Sequence, residues 1–138
     1  DLKRSKCFNL VTLPESRYGA LTQVSIMRFC ERNGIQLRLM DSFPQTVEDG
    51  EVFFLQTGRL SNSLAEFDEI LRKNNKKIGK DVGLISYNDV PLNAVVLGGL
   101  TTISTDFEKM GVTAAKMILS GKMAKVHNDF RMTRRATF

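Results

Sequence analysis

The chain has 138 residues, enough for a single domain with its own core. Its 42% of apolar residues and 25% of charged residues are ordinary for a soluble globular protein, and the net charge of +5 is a mild basic excess. No apolar run approaches the ~18 residues that span a bilayer, so we expect no membrane contact. The charged start, Asp1 to Lys6, does not resemble a signal peptide, and because the chain lacks an initiating Met we expect a piece of a longer protein.

The first half of the chain alternates strand-like and helix-like segments. The run FNLVTL, residues 8–13, predicts a buried strand, and a helix is expected from Arg17 to Asn33 with Gly34 just past its end. Two further strands are predicted at residues 35–40 and 51–55. An apolar stripe at steps of four, three and three residues marks one face of the helix, namely Ala20, Val24, Met27 and Cys30.

The second half continues the alternation. Ser63 and Glu66 have capping-box spacing at the start of a helix predicted over 64–73, and strands are predicted at 82–87 and 100–104. Thr105 and Glu108 form a second capping box before a helix that Gly121 closes, and residues 130–138 alternate as a last strand. This order predicts an α/β fold, a layered parallel sheet with helices on both faces.

Polar side chains follow each predicted strand, at residues 14–16, 41–43, 56–57, 88–89 and 105–106. Ligands of open parallel sheets bind outside the carboxyl ends of the strands, so five such ends favour a polar ligand cleft. The same residue types also turn chains and cap helices, and for each end that structural interpretation stays open.

Catalysis finds little support in the same residues. The carboxylates Glu15, Asp41, Asp89 and Asp106 allow an acid–base pair, but no spacing requires one, and no P-loop, GxSxG or GxGxxG motif is present. A phosphate-accepting aspartate like that of signalling receiver domains lacks the acidic cluster expected at the first strand. We therefore predict that the chain is not an enzyme and uses no cofactor.

The remaining reactive and charged residues are scattered. Cys7 and Cys30 lie far apart and His127 is the single histidine, so no metal site is predicted, and we expect both cysteines to be buried thiols in a reducing compartment. Basic residues cluster only at 73–80 and 131–135, where a solvated surface is the simpler interpretation and nucleic-acid binding is the alternative.

The stretch KKIGKDVGLISYNDVPLNAVVLGGLTTISTDFEKMGVTAAKMIL, residues 76–119, resembles the closing part of the effector domain in the lactose/galactose repressor (LacI/GalR) family. The matching segments are Ser86 to Asp89, Leu100 to Ile103, Gly111 to Ala114 and Arg134 to Thr137. The "ISYND" and "ISTDF" segments are similar to those of hybrid regulators that join a GntR-type winged-helix DNA reader to such a domain.

This resemblance implies the second lobe of a type I periplasmic-binding-protein-like fold. Residues 1–138 then form the C-terminal part of an effector-binding domain, with the first lobe and the DNA-binding domain absent from the chain. Family topology places the helix from Thr105 to Ser120 against the missing lobe. Without that lobe, its apolar stripe has to repack on the sheet, pair with another copy or remain loose.

The resemblance also implies a set of effector-binding residues. Asn88 stands where the family has a carboxylate that accepts sugar hydroxyls, Gln56 replaces a strand-end asparagine, and Thr22 replaces the ligand-holding arginine. The expected site is completed by Ser16 and Asp89 at strand ends, Arg17 as a substitute arginine, Thr105 after the LTT segment and Phe43 as a surface for stacking a sugar ring.

The function that the resemblance implies is ligand sensing in a cytoplasmic bacterial transcriptional regulator. A small polar effector, a sugar or sugar derivative, binds between the lobes of a homodimer and alters operator binding by the missing domain. The alternative is a periplasmic sugar-binding protein of a transport system, which has the same two-lobed fold. An enzyme on a flavodoxin-like sheet is a third hypothesis, without a catalytic constellation to support it.

Overall fold

The computed structural model describes residues 5–12, 19–56 and 60–138. The strands are β1 (Cys7–Thr12), β2 (Leu37–Met40), β3 (Glu51–Gln56), β4 (Gly83–Tyr87), β5 (Thr101–Thr105) and β6 (Phe130–Thr133). The helices are α1 (Gly19–Asn33), α2 (Leu60–Lys73) and α3 (Phe107–Ser120), and two short 3-10 turns, Pro91–Ala94 and Val96–Gly98, link β4 to β5. Every predicted strand and helix is therefore present, with shifted ends.

The strands form one sheet in the order β2-β1-β3-β4-β5-β6. All neighbouring pairs are parallel except β5 and β6, which run antiparallel. The α/β prediction with a mostly parallel sheet is thus confirmed. Its carboxyl ends, where a ligand site is expected, all lie along one edge except that of β6.

Two apolar cores cover the two faces of the sheet. On one face α2 packs Phe67 against Phe53 and Phe43, with ring centroids 5.0 and 4.6 Å away. On the other face α1 contributes Cys30 to a cluster with residues such as Phe54. Both cysteines are buried and unpaired, as predicted, and burial raises the pKa of each thiol.

The connection between β2 and β3 has no helix. Parallel strands need a crossover, and residues 41–50 make it as an extended segment that buries Phe43 and Val47 in the α2-side core. Asn74, just after α2, holds this segment with its side chain: Nδ2 donates to the Gln45 carbonyl oxygen at 2.9 Å, and Oδ1 accepts from the Val47 amide at 3.4 Å. The buried side chains of Phe43 and Val47 thus fill the part of the core that a crossover helix would otherwise cover.

The last five residues bind to the sheet at the end opposite the carboxyl ends of its parallel strands. Thr137 is fully buried, and its Oγ1 donates to the Leu84 carbonyl oxygen and accepts from the Thr101 amide, both at 2.8 Å. The predicted final strand over 130–138 therefore ends early, at Thr133. Beyond it the chain leaves the antiparallel ladder and crosses toward β4.

Both predicted capping boxes are wrong. Helix α2 begins at Leu60, so Ser63 lies inside its first turn and is buried. At α3 the N-cap is Asp106, whose carboxylate accepts from the Lys109 amide at 3.0 Å, one residue later than expected.

The predicted stripe of α1 only partly faces the sheet. Cys30 is buried, but Val24 and Met27 are each 45% exposed, and Ile26 takes the packing position instead. Helix α3 has no buried residue, and five of its large apolar side chains are 45 to 88% exposed, namely Phe107, Met110, Val112, Ile118 and Leu119. Of the three expected fates of α3, repacking on the sheet is excluded in this structure.

Candidate functional site

Gln56 and Thr22 meet at the carboxyl end of β3. Gln56 ends the strand and is buried, and its Nε2 donates to Thr22 Oγ1 on α1 at 2.8 Å. Its side chain lies on the α1 side of the sheet because it alternates with Leu55, which faces α2. The structure therefore brings together two of the predicted effector-binding residues.

Gln56 has an unused acceptor at this position. Its Oε1 is buried and has no hydrogen-bond partner among the residues that the structure describes. A buried acceptor without a donor costs about 1–3 kcal/mol, so such an atom calls for a ligand or a bound water.

Asn88 lies on the neighbouring strand end and has the same property. Its backbone is left-handed, with φ 67°, and its amide donates to the Ile103 carbonyl oxygen at 2.8 Å. The side-chain Oδ1 is buried and accepts no hydrogen bond from residues 5–12, 19–56 or 60–138. Because β3 and β4 pair in parallel with Leu55 opposite Ser86, the unpartnered Gln56 and Asn88 oxygens belong to adjacent strand ends.

Asp89 is held differently from Asn88. Its two carboxylate oxygens receive both ends of the Arg135 guanidinium, at 3.0 Å from Nη1 and 2.8 Å from Nη2. Asn93 Nδ2 also approaches Asp89 Oδ1 at 3.4 Å. These bonds lower the pKa of Asp89 below its ordinary value, and the bond from Arg135 makes the largest contribution, so the ionised carboxylate is favoured.

The other predicted site residues are distributed unevenly. Thr105 ends β5 at the same edge and is half-buried. The structure does not place Phe43 where it could stack on a sugar ring, contrary to what was expected. Its side chain is 5% exposed, and the rings of Phe53 and Phe67 pack against it, so it does not line a cleft. Ser16 and Arg17 lie outside the described residues.

The acidic residues considered for catalysis do not converge in the described ranges. Asp106 caps α3, exposed Asp41 accepts from Ser42 Oγ at 3.0 Å, and Asp89 is bound to Arg135. Glu15 falls outside the described residues. The described part of the chain also contains no group of three His, Cys, Asp or Glu side chains able to hold a metal ion.

A large apolar cavity lies on the α1 side of the sheet beside Thr22, the partner of Gln56. Its volume is about 470 Å³, and Thr22 and Tyr87 line it together with apolar residues such as Phe54, Ile85 and Ile103. The cavity exists because α1 packs near β1 and β3 and leaves this face of β4 and β5 uncovered.

Sequence reasoning missed the role of Arg135 and of Asn93. Arg135 is separated from Asp89 by 46 residues, so no local pattern links the two. The signal was faint: two adjacent arginines in an otherwise alternating final segment. Asn93 stands between apolar residues in the segment that links β4 to β5, and its burial follows only from the fold of the 3-10 turn.

Comparisons with known proteins show the family and the fold of the chain. A model of the periplasmic binding protein-like domain matches residues 62–136, more than half of the chain. No curated protein sequence matches the chain significantly. No helix in the described ranges is long and apolar enough to cross a membrane.

Solved structures of similar fold are regulators of the LacI type. A LacI family transcriptional regulator from Bifidobacterium animalis has a TM-score of 0.72 at 14% identity, covering 99% of this chain and 56% of its own. A sugar-binding LacI-family regulator from Enterococcus faecalis has 0.69 at 21%, covering 97% and 56%. A dimeric Lac repressor with a C-terminal deletion has 0.66 at 16%, covering 99% and 56%. The chain thus spans about half the length of these structures.

Proposed function

We propose that this chain, which belongs to the periplasmic binding protein-like domain family, is the second lobe of the effector-sensing domain of a bacterial transcriptional regulator. Its fold is similar to that of LacI-type regulators, one of which is described as sugar-binding. The "ISYND" and "ISTDF" segments support the narrower proposal of a hybrid with a GntR-type DNA reader. Regulation would then take place in the cytoplasm.

The observation that carries this proposal is the pair of unpartnered oxygens on adjacent strand ends. Gln56 Oε1 and Asn88 Oδ1 are both buried acceptors, so a ligand group that satisfies either of them has to be a hydrogen-bond donor. A sugar has such donors in its hydroxyl groups. Thr22, whose Oγ1 accepts from Gln56 Nε2, keeps its own hydroxyl hydrogen for the same ligand or for a neighbouring group.

The proposed mechanism is differential binding. An effector that binds one arrangement of two lobes more tightly than another shifts the population toward that arrangement, by at most its difference in affinity. DNA contact belongs to a domain outside this chain, and a homodimer transmits the change to it. The effector contacts proposed for this lobe are those of Gln56, Asn88, Thr22 and Thr105, together with Ser16 and Arg17, which lie outside the described residues.

The ligand assignment is tested by titrating D-glucose, D-galactose and their 6-phosphates into the purified protein, by thermal shift and then by calorimetry. Gln56→Ala and Asn88→Gly each remove one acceptor, and glycine keeps the left-handed backbone of residue 88. We expect each variant to raise the Kd for sugar about tenfold, the effect of losing one hydrogen bond. The control Gln36→Ala, which removes an exposed side-chain amide, should leave the Kd unchanged. Equal affinity of all three variants for a sugar that binds the wild type contradicts the site.

The regulator is separated from the transport alternative by the parent reading frame. A winged helix or helix-turn-helix upstream of a first α/β lobe supports the regulator. A secretory signal followed directly by the first lobe supports a binding protein for transport, and the cytoplasmic and DNA-linked parts of the proposal are then wrong.

A further inference from the structure

The turn that carries Asn88 is held from the far end of the chain. Arg135 lies two residues beyond β6, and its guanidinium makes a bidentate ion pair with Asp89, the residue next to Asn88. Both side chains are about four-fifths buried, at 20% and 19% exposure. A planar, bidentate pair of this kind fixes orientation as well as distance.

Arg135 is itself firmly placed. Its Nη1 also donates to the Leu100 carbonyl oxygen at 2.7 Å, and its backbone amide donates to Thr101 Oγ1 at 2.9 Å. The guanidinium therefore cannot follow Asp89 if the turn moves, so the ion pair anchors the turn to the start of β5.

The backbone at Asn88 needs such an anchor. A non-glycine residue with φ 67° occupies a sparsely populated region, which asparagine tolerates better than most residues. The Asn88 carbonyl oxygen accepts from Asn93 Nδ2 at 3.2 Å, so Asn93 closes the same turn from within. Without the anchor, the left-handed backbone and the buried acceptor are both free to relax.

We infer that Arg135 is a positioning residue for the effector site: through Asp89 it holds the turn of residues 88–93 so that Asn88 Oδ1 stays aimed at the ligand. Asp89 then contributes to binding by position, since both of its oxygens are already engaged. The inference rests on the proposed function for its consequence in ligand affinity, but its structural content is independent of any ligand.

The test compares Arg135→Gln, Arg135→Lys and the control Arg131→Gln, which removes the same charge from an exposed site on β6. Hydrogen exchange of the Asn88 amide, which donates to Ile103, is measured by NMR beside that of β3 amides such as Leu55. We expect Arg135→Gln to speed exchange at Asn88 about tenfold more than at Leu55, Arg135→Lys to lie between, and the control to leave both unchanged. Equal acceleration at Asn88 and Leu55 overturns the inference, because Arg135 then supports the whole lobe.

A second arm adds the ligand, with D-glucose and D-galactose as probes. For a sugar that binds the wild type, we expect Arg135→Gln to raise the Kd about tenfold and Arg135→Lys to recover part of that loss. An unchanged Kd in a variant with a loosened turn overturns the role in binding. If neither sugar binds the wild type, the sugar assignment of the proposed function fails, whereas the anchoring of the turn is still decided by the exchange rates.

Discussion

Replacing Gly79 by alanine tests how much the packing of residues 136–137 against the sheet contributes to stability. A Cβ at residue 79 would lie 1.8 Å from the Ala136 carbonyl oxygen, and contacts below 3.0 Å do not occur, so the backbone of residues 136–137 has to move by more than 1 Å. That movement disturbs Thr137, whose Oγ1 bonds both Leu84 and Thr101. The backbone at residue 79 is also left-handed, with φ 74°.

The expected cost has two parts. A left-handed alanine costs about 1 kcal/mol, and leaving buried partners of Thr137 unsatisfied costs about 1–3 kcal/mol more. Gly34 is the matched control, since it has φ 63° but open space around a Cβ, so Gly34→Ala should cost only the first part. We therefore expect about 3 kcal/mol of lost stability for Gly79→Ala and about 1 kcal/mol for Gly34→Ala.

Urea unfolding followed by far-UV circular dichroism measures both variants against the wild type. The difference between the two alanines isolates the contact with the C-terminal segment from the backbone penalty that they share. Equal losses of stability would refute the reasoning, because they would mean that residues 136–137 do not press on residue 79.

Three further predictions concern single interactions. Because the folded-state pKa of Asp89 is lowered, the ion pair with Arg135 stabilises the protein above the ordinary aspartate pKa. This stability is lost as the pH falls through the folded-state pKa. In Asp89→Asn the free energy of unfolding should therefore fall less steeply at acid pH than in the wild type. Thr137→Val should lower the free energy of unfolding in urea by about 2 kcal/mol, whereas Thr137→Ser, which keeps the hydroxyl, should lower it much less. Equal losses in the two variants contradict the role of the hydroxyl. Asp106→Ala should speed amide exchange along α3 without shifting the unfolding midpoint, since that helix buries no residue, and a shifted midpoint contradicts this.

The order of strands and helices could be predicted from the sequence because the signals are local. Residues 8–13 form a mostly apolar run, and Gly34 and Gly121 mark the ends of α1 and α3 at left-handed positions. Helix starts were less predictable, since Ser, Thr and Asp occur in clusters and any of them caps equally well. At α3 the choice between Thr105 and Asp106 was decided by one hydrogen bond to Lys109.

The candidate site was predictable only where it depends on strand ends. Gln56 and Asn88 come directly after buried strands, and parallel pairing then brings those ends together. The exclusion of Phe43 was not predictable, because its burial follows from the missing helix between β2 and β3: the extended segment 41–50 needs large apolar side chains to fill the core. The partnership of Asp89 with Arg135 likewise depends on the return of the chain after β6.

The uncovered surfaces of this lobe begin at the same edge as the candidate site. Helix α3 starts at Phe107, two residues after β5 ends at Thr105, so its exposed apolar side chains extend from the edge that carries Gln56 and Asn88. Only the start of α3 lies at that edge, because Ile118 and Leu119 are in its last turn. If the proposed effector binds at that edge and favours one docked arrangement of α3, then docking on α3 has to raise the affinity for the effector by the same factor as the effector raises the affinity for docking.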